Sequence, residues 1–129
     1  MTLLKSMNSV EWRQVRTGVE LLGKGGIIAC PTDTVFGLSA DFSSDEAVQR
    51  IIDIKGRSVQ MGLPLLLSAP EDLSLVARDI SDTAWLLAKH FWPGGLTLVV
   101  LRSATVSDLV TGGRETVAVR LPGHPIPQA

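Results

Sequence analysis

Apolar positions along this chain switch between a helical and an extended spacing, and polar or glycine-rich breaks separate the switches. Residues 1–8 read as an irregular lead-in. Asn8 with Glu11 three positions on has the spacing of a helix N-cap pair. Trp12, Val15, Val19 and Leu22 then recur on one helical face, and Gly23, Gly25 and Gly26 close the helix. Gly25-Gly26-Ile27-Ile28-Ala29-Cys30, bounded by Pro31, predicts a buried strand. Ser43 and Glu46 stand in capping-box register for a second helix. Ala47, Ile51 and Ile54 lie on its face, Val48 and Ile52 lie beside them, and its end falls near Lys55-Gly56-Arg57. Leu63-Pro64-Leu65-Leu66-Leu67 predicts a short strand that Pro64 confines to an edge. Residues 70–78 suit a short helix. Ser81 or Asp82 caps another helix, through Ala84, Trp85, Leu87, Ala88 and Phe91, that Pro93-Gly94-Gly95 stops. Residues 96–101 read as a strand, 103–115 as a polar, Gly-rich loop or mobile lid, and 116–120 as a last strand of alternating character.

Strands alternating with helices imply an α/β domain with partly parallel strands. The 129 residues suffice for one domain with a real core, 1–129, and 45% hydrophobic with 19% charged residues excludes a disordered chain. A single cysteine, Cys30, excludes a disulfide framework and reads as a small core residue. There is no apolar run long enough for a bilayer span and no secretory leader pattern, so the expectation is a cytoplasmic protein without a membrane partner. Net charge of −1 gives no whole-chain field for nucleic acid. Pro122, Pro125 and Pro127 follow the last strand with no closing element, the pattern of a C-terminally incomplete domain.

Candidate chemistry is dispersed. His90 and His124 lack partners at metal-ligand spacing, so no metal site is expected, and neither a phosphate-binding P-loop nor a dinucleotide fingerprint occurs. Trp92-Pro93-Gly94-Gly95 follows a helix rather than preceding one, which is the wrong order for a phosphate cradle. Pro31-Thr32-Asp33-Thr34 places two hydroxyls and a carboxylate where a strand ends, as open α/β sheets present ligand sites. The same residues equally suit a turn in which they only satisfy local backbone. Lys55 and Arg57 either cap their helix or join Arg120 in binding an anion.

Four ordered segments carry more. Pro31-Thr32-Asp33-Thr34-Val35-Phe36-Gly37-Leu38, Ile54-Lys55-Gly56-Arg57, Trp92-Pro93-Gly94-Gly95-Leu96-Thr97-Leu98 and Val117-Ala118-Val119-Arg120-Leu121-Pro122-Gly123-His124-Pro125 together resemble the YrdC-type threonylcarbamoyl-AMP synthase family, from about residue 9 onward. The resemblance implies a twisted mixed sheet flanked by helices around a concave, positively charged ligand cleft. It implies synthesis of threonylcarbamoyl-adenylate and pyrophosphate from L-threonine, bicarbonate and ATP, with Mg²⁺ on the phosphates. That adenylate feeds tRNA threonylcarbamoyladenosine formation, which a downstream threonylcarbamoyl transferase complex completes. By motif position, Thr34 and Arg120 resemble threonine contacts. Lys55 and Arg57 match the K-x-R motif that binds ATP and serves catalysis, Thr116 resembles a nucleotide contact, and Thr32 and His124 resemble cleft-lining residues.

The chain departs from the family pattern in places. Ser58 stands for the proline after K-x-R, Met61 for a polar residue, Gly62-Leu63 for P-L, and Gly95 for the second proline of W-P-G-P. The family's S-x-N motif has no counterpart before Ala129. Three other readings stay open: a non-catalytic module binding tRNA or double-stranded RNA, an inactive fragment, and a carbamoyl-handling domain of hydrogenase-maturation type. The first is opposed by the net charge and by an aromatic content of only 5%, too low for extensive base stacking. The last belongs to larger chains with acylphosphatase and zinc-finger segments that this sequence lacks.

Overall fold

The structure is a computed structural model that describes residues 3–129. Met1 and Thr2 of the expected lead-in lie outside the described residues, and Leu3–Ser6 form a single 3-10 turn. Helix α1 (Ser9–Gly23) starts as its sequence dictates. The Asn8 side chain accepts from the N–H groups of Val10 and Glu11, and the Glu11 carboxylate accepts from the Asn8 N–H at 2.8 Å. Asn8→Ala should therefore cost about 1 kcal/mol. Urea unfolding followed by circular dichroism would show it, and an unchanged midpoint would contradict the cap.

The 25–30 run yields strand β1 (Ile28–Cys30), which pairs antiparallel with β2 (Gly37–Ser39) in a separate two-stranded ribbon. This corrects the expectation of a buried strand: Ile28 is half-buried, Ala29 is exposed, and only Cys30 is buried. Residues 27–30 are apolar because one side rests on α1, where Gly18 lets the Ile28 side chain approach closely. Burial pushes the Cys30 thiol pKa up, as expected of a core cysteine.

Helix α2 (Asp45–Lys55) is capped by Ser44, whose Oγ accepts from the Ala47 N–H. The cap is one residue later than Ser43, because Ser43 instead bonds the Asp41 carboxylate through both its N–H and its hydroxyl. Gly56, in the left-handed conformation, ends the helix. A 3-10 turn (Val59–Met61) leads to β3 (Leu65–Leu66). Then come α3 (Leu73–Val76), α4 (Asp82–Phe91) with Ser81 as its N-cap, β4 (Leu98–Leu101), α5 (Asp108–Thr111), β5 (Thr116–Arg120) and α6 (Pro125–Gln128).

The larger sheet has the order β3-β5-β4, with β3 parallel and β4 antiparallel to β5. Leu65 and Leu98 both stand opposite Val119, so Leu65, Leu98, Val117 and Val119 share one face. On that face the core closes with Val48, Ile52, Leu73, Val76, Ala88, Trp92, Val106, Val110 and Leu121. Residues 103–115 are not a mobile lid. Val106, just before α5, and Val110, within it, are each 1% exposed and anchor the segment in the core. The opposite sheet face carries Leu66, Val99, Leu101, Thr116, Ala118 and Arg120 and is the open one: Val99 is 69% exposed.

Candidate active site

The site residues gather where the β1–β2 ribbon meets the C-terminal end of β5. Alternation along β5 puts Thr116, Ala118 and Arg120 on the open face, and Pro122 beyond the strand turns the chain away. The Arg120 guanidinium is divided among three partners. Its Nε donates to the Gly94 carbonyl at 3.0 Å, Nη1 donates to Thr34 Oγ1 at 3.2 Å, and Nη2 forms an ion pair with Asp33 Oδ1. Gly94, the first glycine after Pro93, thus serves this site through its backbone carbonyl.

The hydroxyls form a directed chain. Thr32 Oγ1 donates to the Val35 carbonyl at 2.6 Å, which leaves it an acceptor toward the Thr34 hydroxyl at 3.1 Å and the Thr34 N–H at 3.2 Å. One proton given and two accepted fill the capacity of the Thr32 hydroxyl. Thr34 gives its proton to Thr32, accepts from Arg120, and keeps one lone pair free. Thr32 therefore fixes the turn, and Thr34 is the hydroxyl with capacity left for a ligand.

Asp33 is held from two sides. Burial pushes its carboxyl pKa upward. The hydrogen bond from Arg120, the N–H groups of Gly123 and of Asp33 itself, and the Arg120 charge together outweigh that and hold it below its usual value. A group with a depressed folded pKa adds stability that is present above its unfolded value and lost as pH falls through the folded one. Urea unfolding from about pH 7 to about pH 2 should thus show a shallower acid loss in Asp33→Asn than in the parent chain. Parallel curves would refute this.

Lys55, Arg57 and Thr116 lie toward the far end of β5. Thr116 pairs with Leu101 at the start of the strand, about 13 Å from Arg120 at the usual rise per residue. Lys55 and Arg57 are exposed and have no ion-pair partner among the described residues. Their loop docks on the 110–114 turn that feeds Thr116. The Leu63 N–H donates to the Val110 carbonyl at 2.7 Å, and Arg114 Nη1 reaches the Met61 carbonyl at 3.4 Å. The departures from the family pattern fit this loop. The Ser58 hydroxyl accepts from the Gln60 N–H, and Gly62 takes φ +67°, a conformation closed to proline. No bond joins Lys55 or Arg57 to the Arg120 cluster, so the structure keeps the two groups of candidate residues apart, toward opposite ends of β5. His124 lies beyond β5, and its Nδ1 accepts from the Ile126 N–H at 3.3 Å to cap α6. The sequence marks Asp33 as part of a possible ligand-presenting strand end but gives it no role, and its pairing with Arg120 was not foreseen. The signal for it was an acid between two threonines with no helix after it to cap.

The sequence model of the Sua5/YciO/YrdC family, described as telomere recombination, matches residues 20–129. The chain belongs to this family. A Pyrococcus abyssi relative named threonylcarbamoyl-AMP synthase is 42% identical over 116 residues, which are 90% of this chain and 34% of that protein. A Saccharophagus degradans protein of the same name is 39% identical over 86% of this chain and 58% of its own length. The crystal structure of P. abyssi Sua5 complexed with L-threonine superposes with a TM-score of 0.84, at 42% identity, over 92% of this chain and 34% of that one. The Sua5/YciO/YrdC chain described here thus spans from about a third to under two thirds of the length of these relatives. The mixed sheet with helices packed on one face is the family's fold. No helix among the described residues is long and apolar enough to cross a membrane.

Proposed function

We propose that residues 1–129 form one YrdC-like domain that takes part in making L-threonylcarbamoyl-AMP and pyrophosphate from L-threonine, bicarbonate and ATP, in the cytoplasm, for tRNA threonylcarbamoyladenosine formation. One observation carries the reading. In a fold shared with a threonine-complexed relative, Arg120 and Thr34 converge at the end of β5 with donor and acceptor capacity to spare. Arg120 takes the amino-acid carboxylate through its remaining N–H groups, which suit a planar anion. Thr34 meets a polar group of the substrate.

At the other end of the strand, Lys55 and Arg57 hold the ATP phosphates and Thr116 contacts the nucleotide. Mg²⁺ arrives on those phosphates as part of the substrate; no group of three or more His, Cys, Asp or Glu among the described residues is placed to hold a metal. Once the α-ammonium of threonine has lost a proton to solvent, the freed nitrogen bonds to the bicarbonate carbon with loss of water. A carbamate oxygen then attacks the α-phosphorus and pyrophosphate leaves. None of these steps needs a covalent protein nucleophile. The protein's contribution is alignment of three reactants between the two ends of β5 and cationic stabilisation of developing phosphate charge. The adenylate product passes to tRNA through the threonylcarbamoyl transferase complex.

Calorimetric titration with L-threonine, and with serine as control, each with and without Mg-ATP, tests the reading. Threonine-selective binding followed by bicarbonate-dependent pyrophosphate release is the expected result. A folded sample that ignores threonine overturns it.

A further inference from the structure

The Arg120 site has an unusual composition for a carboxylate receptor: a carboxylate of the protein is built into it. Asp33 Oδ1 pairs with Arg120 Nη2, and Gly123 lies so close behind the carboxylate that a Cβ there would stand 3.2 Å from Oδ2. The Asp33 side chain is 23% exposed and the Arg120 side chain 13%, so the pair is fixed by β5, the 122–124 turn and the ribbon, yet has an open edge. A guanidinium carries five N–H donors, and the protein uses one each on Gly94, Thr34 and Asp33. A carboxylate has about four acceptor positions, so Asp33 also has capacity left.

A lone guanidinium takes any small carboxylate or carbonate. A carboxylate fixed beside it repels plain anions and admits one that brings its own positive charge. An α-amino acid zwitterion does so, with its ammonium and carboxylate one carbon apart. We propose that Asp33 determines specificity at this site by accepting the α-ammonium of the amino acid whose carboxylate Arg120 holds. Bicarbonate, itself an anion, is thereby kept off the amino-acid position. The inference rests on the amino-acid reading of the Arg120 site given above and adds the residue that reads the amine.

The test titrates the purified protein with L-threonine and with the corresponding 3-hydroxybutyrate, which keeps the carboxylate and hydroxyl but lacks the amine. The parent chain should prefer threonine by about tenfold or more, the scale of one charged hydrogen bond. Asp33→Asn should lose threonine affinity by a similar factor while binding 3-hydroxybutyrate at least as well as before. Equal loss for both ligands would make Asp33 a prop for Arg120 alone and overturn the proposal, as would unchanged threonine affinity. Asp33→Glu provides the second variant should the asparagine form fail to fold. It should keep the preference for threonine, and its loss there would count against the proposal. A parent chain that binds no amino acid overturns the amino-acid reading itself, a result visible before any variant is made.

Discussion

Arg120→Lys is expected to yield a folded protein that binds L-threonine about ten- to a hundredfold more weakly, and Arg120→Ala one that binds none and is less stable as well. Lysine keeps the charge but offers a single nitrogen on a flexible stem, which cannot bond Gly94, Thr34 and Asp33 at once and still present two parallel donors to a carboxylate. Each lost charged hydrogen bond is worth about 1.5–3 kcal/mol, which sets that range. Alanine does more, because it leaves the Asp33 carboxylate partly buried without its cation. Breaking a fully buried pair costs about 3–5 kcal/mol, and the partial exposure of both groups puts this case at about 2–3 kcal/mol. Calorimetry separates the binding effect and urea unfolding the stability effect. Threonine affinity in Arg120→Lys equal to that of the parent would remove Arg120 from the site.

The parts of this design that depend on neighbours in sequence were legible from the sequence. Asn8 and Glu11 announce the start of α1, and the alternation in 116–120 announces β5 and the side on which Arg120 emerges. Pairing was not legible. The 25–30 run reads as a strand, yet nothing in Gly37-Leu38-Ser39 marks it as the partner, because two of its three side chains are too small to show an apolar period. The buried valines of this segment, Val106 just before α5 and Val110 within it, were lost among serines, glycines and charges. The Asp33–Arg120 pair joins residues 87 apart and leaves no local trace. The family resemblance assigns Thr34 and Arg120 to one ligand, and the fold brings the two within hydrogen-bond distance. Only the folded chain shows that the acid between the two threonines completes the same site.

Gly112→Ala is expected to weaken ATP binding strongly while sparing threonine. Gly112 adopts φ +65°, and a Cβ there would stand 2.6 Å from the Gln60 carbonyl oxygen and 3.0 Å from that of Val59. These are backbone atoms of the turn that follows Lys55 and Arg57, and they have no free rotation by which to withdraw. On the opposite side of the contact Gly62, also left-handed, lies against the Thr111 and Val110 carbonyls, so the two turns lock back to back. Left-handed strain in alanine costs about 1 kcal/mol and the forced separation adds to it, for a total of about 2–4 kcal/mol in stability. The 58–62 turn must shift, and the exposed cations that it anchors shift with it. Arg120 and Thr34, at the other end of β5, keep their bonds. Gly113→Ala is the control. It carries the same kind of strain at φ +78° but meets nothing within 4 Å, so it should cost about 1 kcal/mol and leave ATP affinity alone. Titrations of both variants with Mg-ATP and with threonine decide the matter. If the two alanines weaken ATP equally, the contact with the Gln60 carbonyl does not position Lys55 and Arg57. If Gly112→Ala weakens threonine as much as ATP, the two ends of β5 are not separate half-sites.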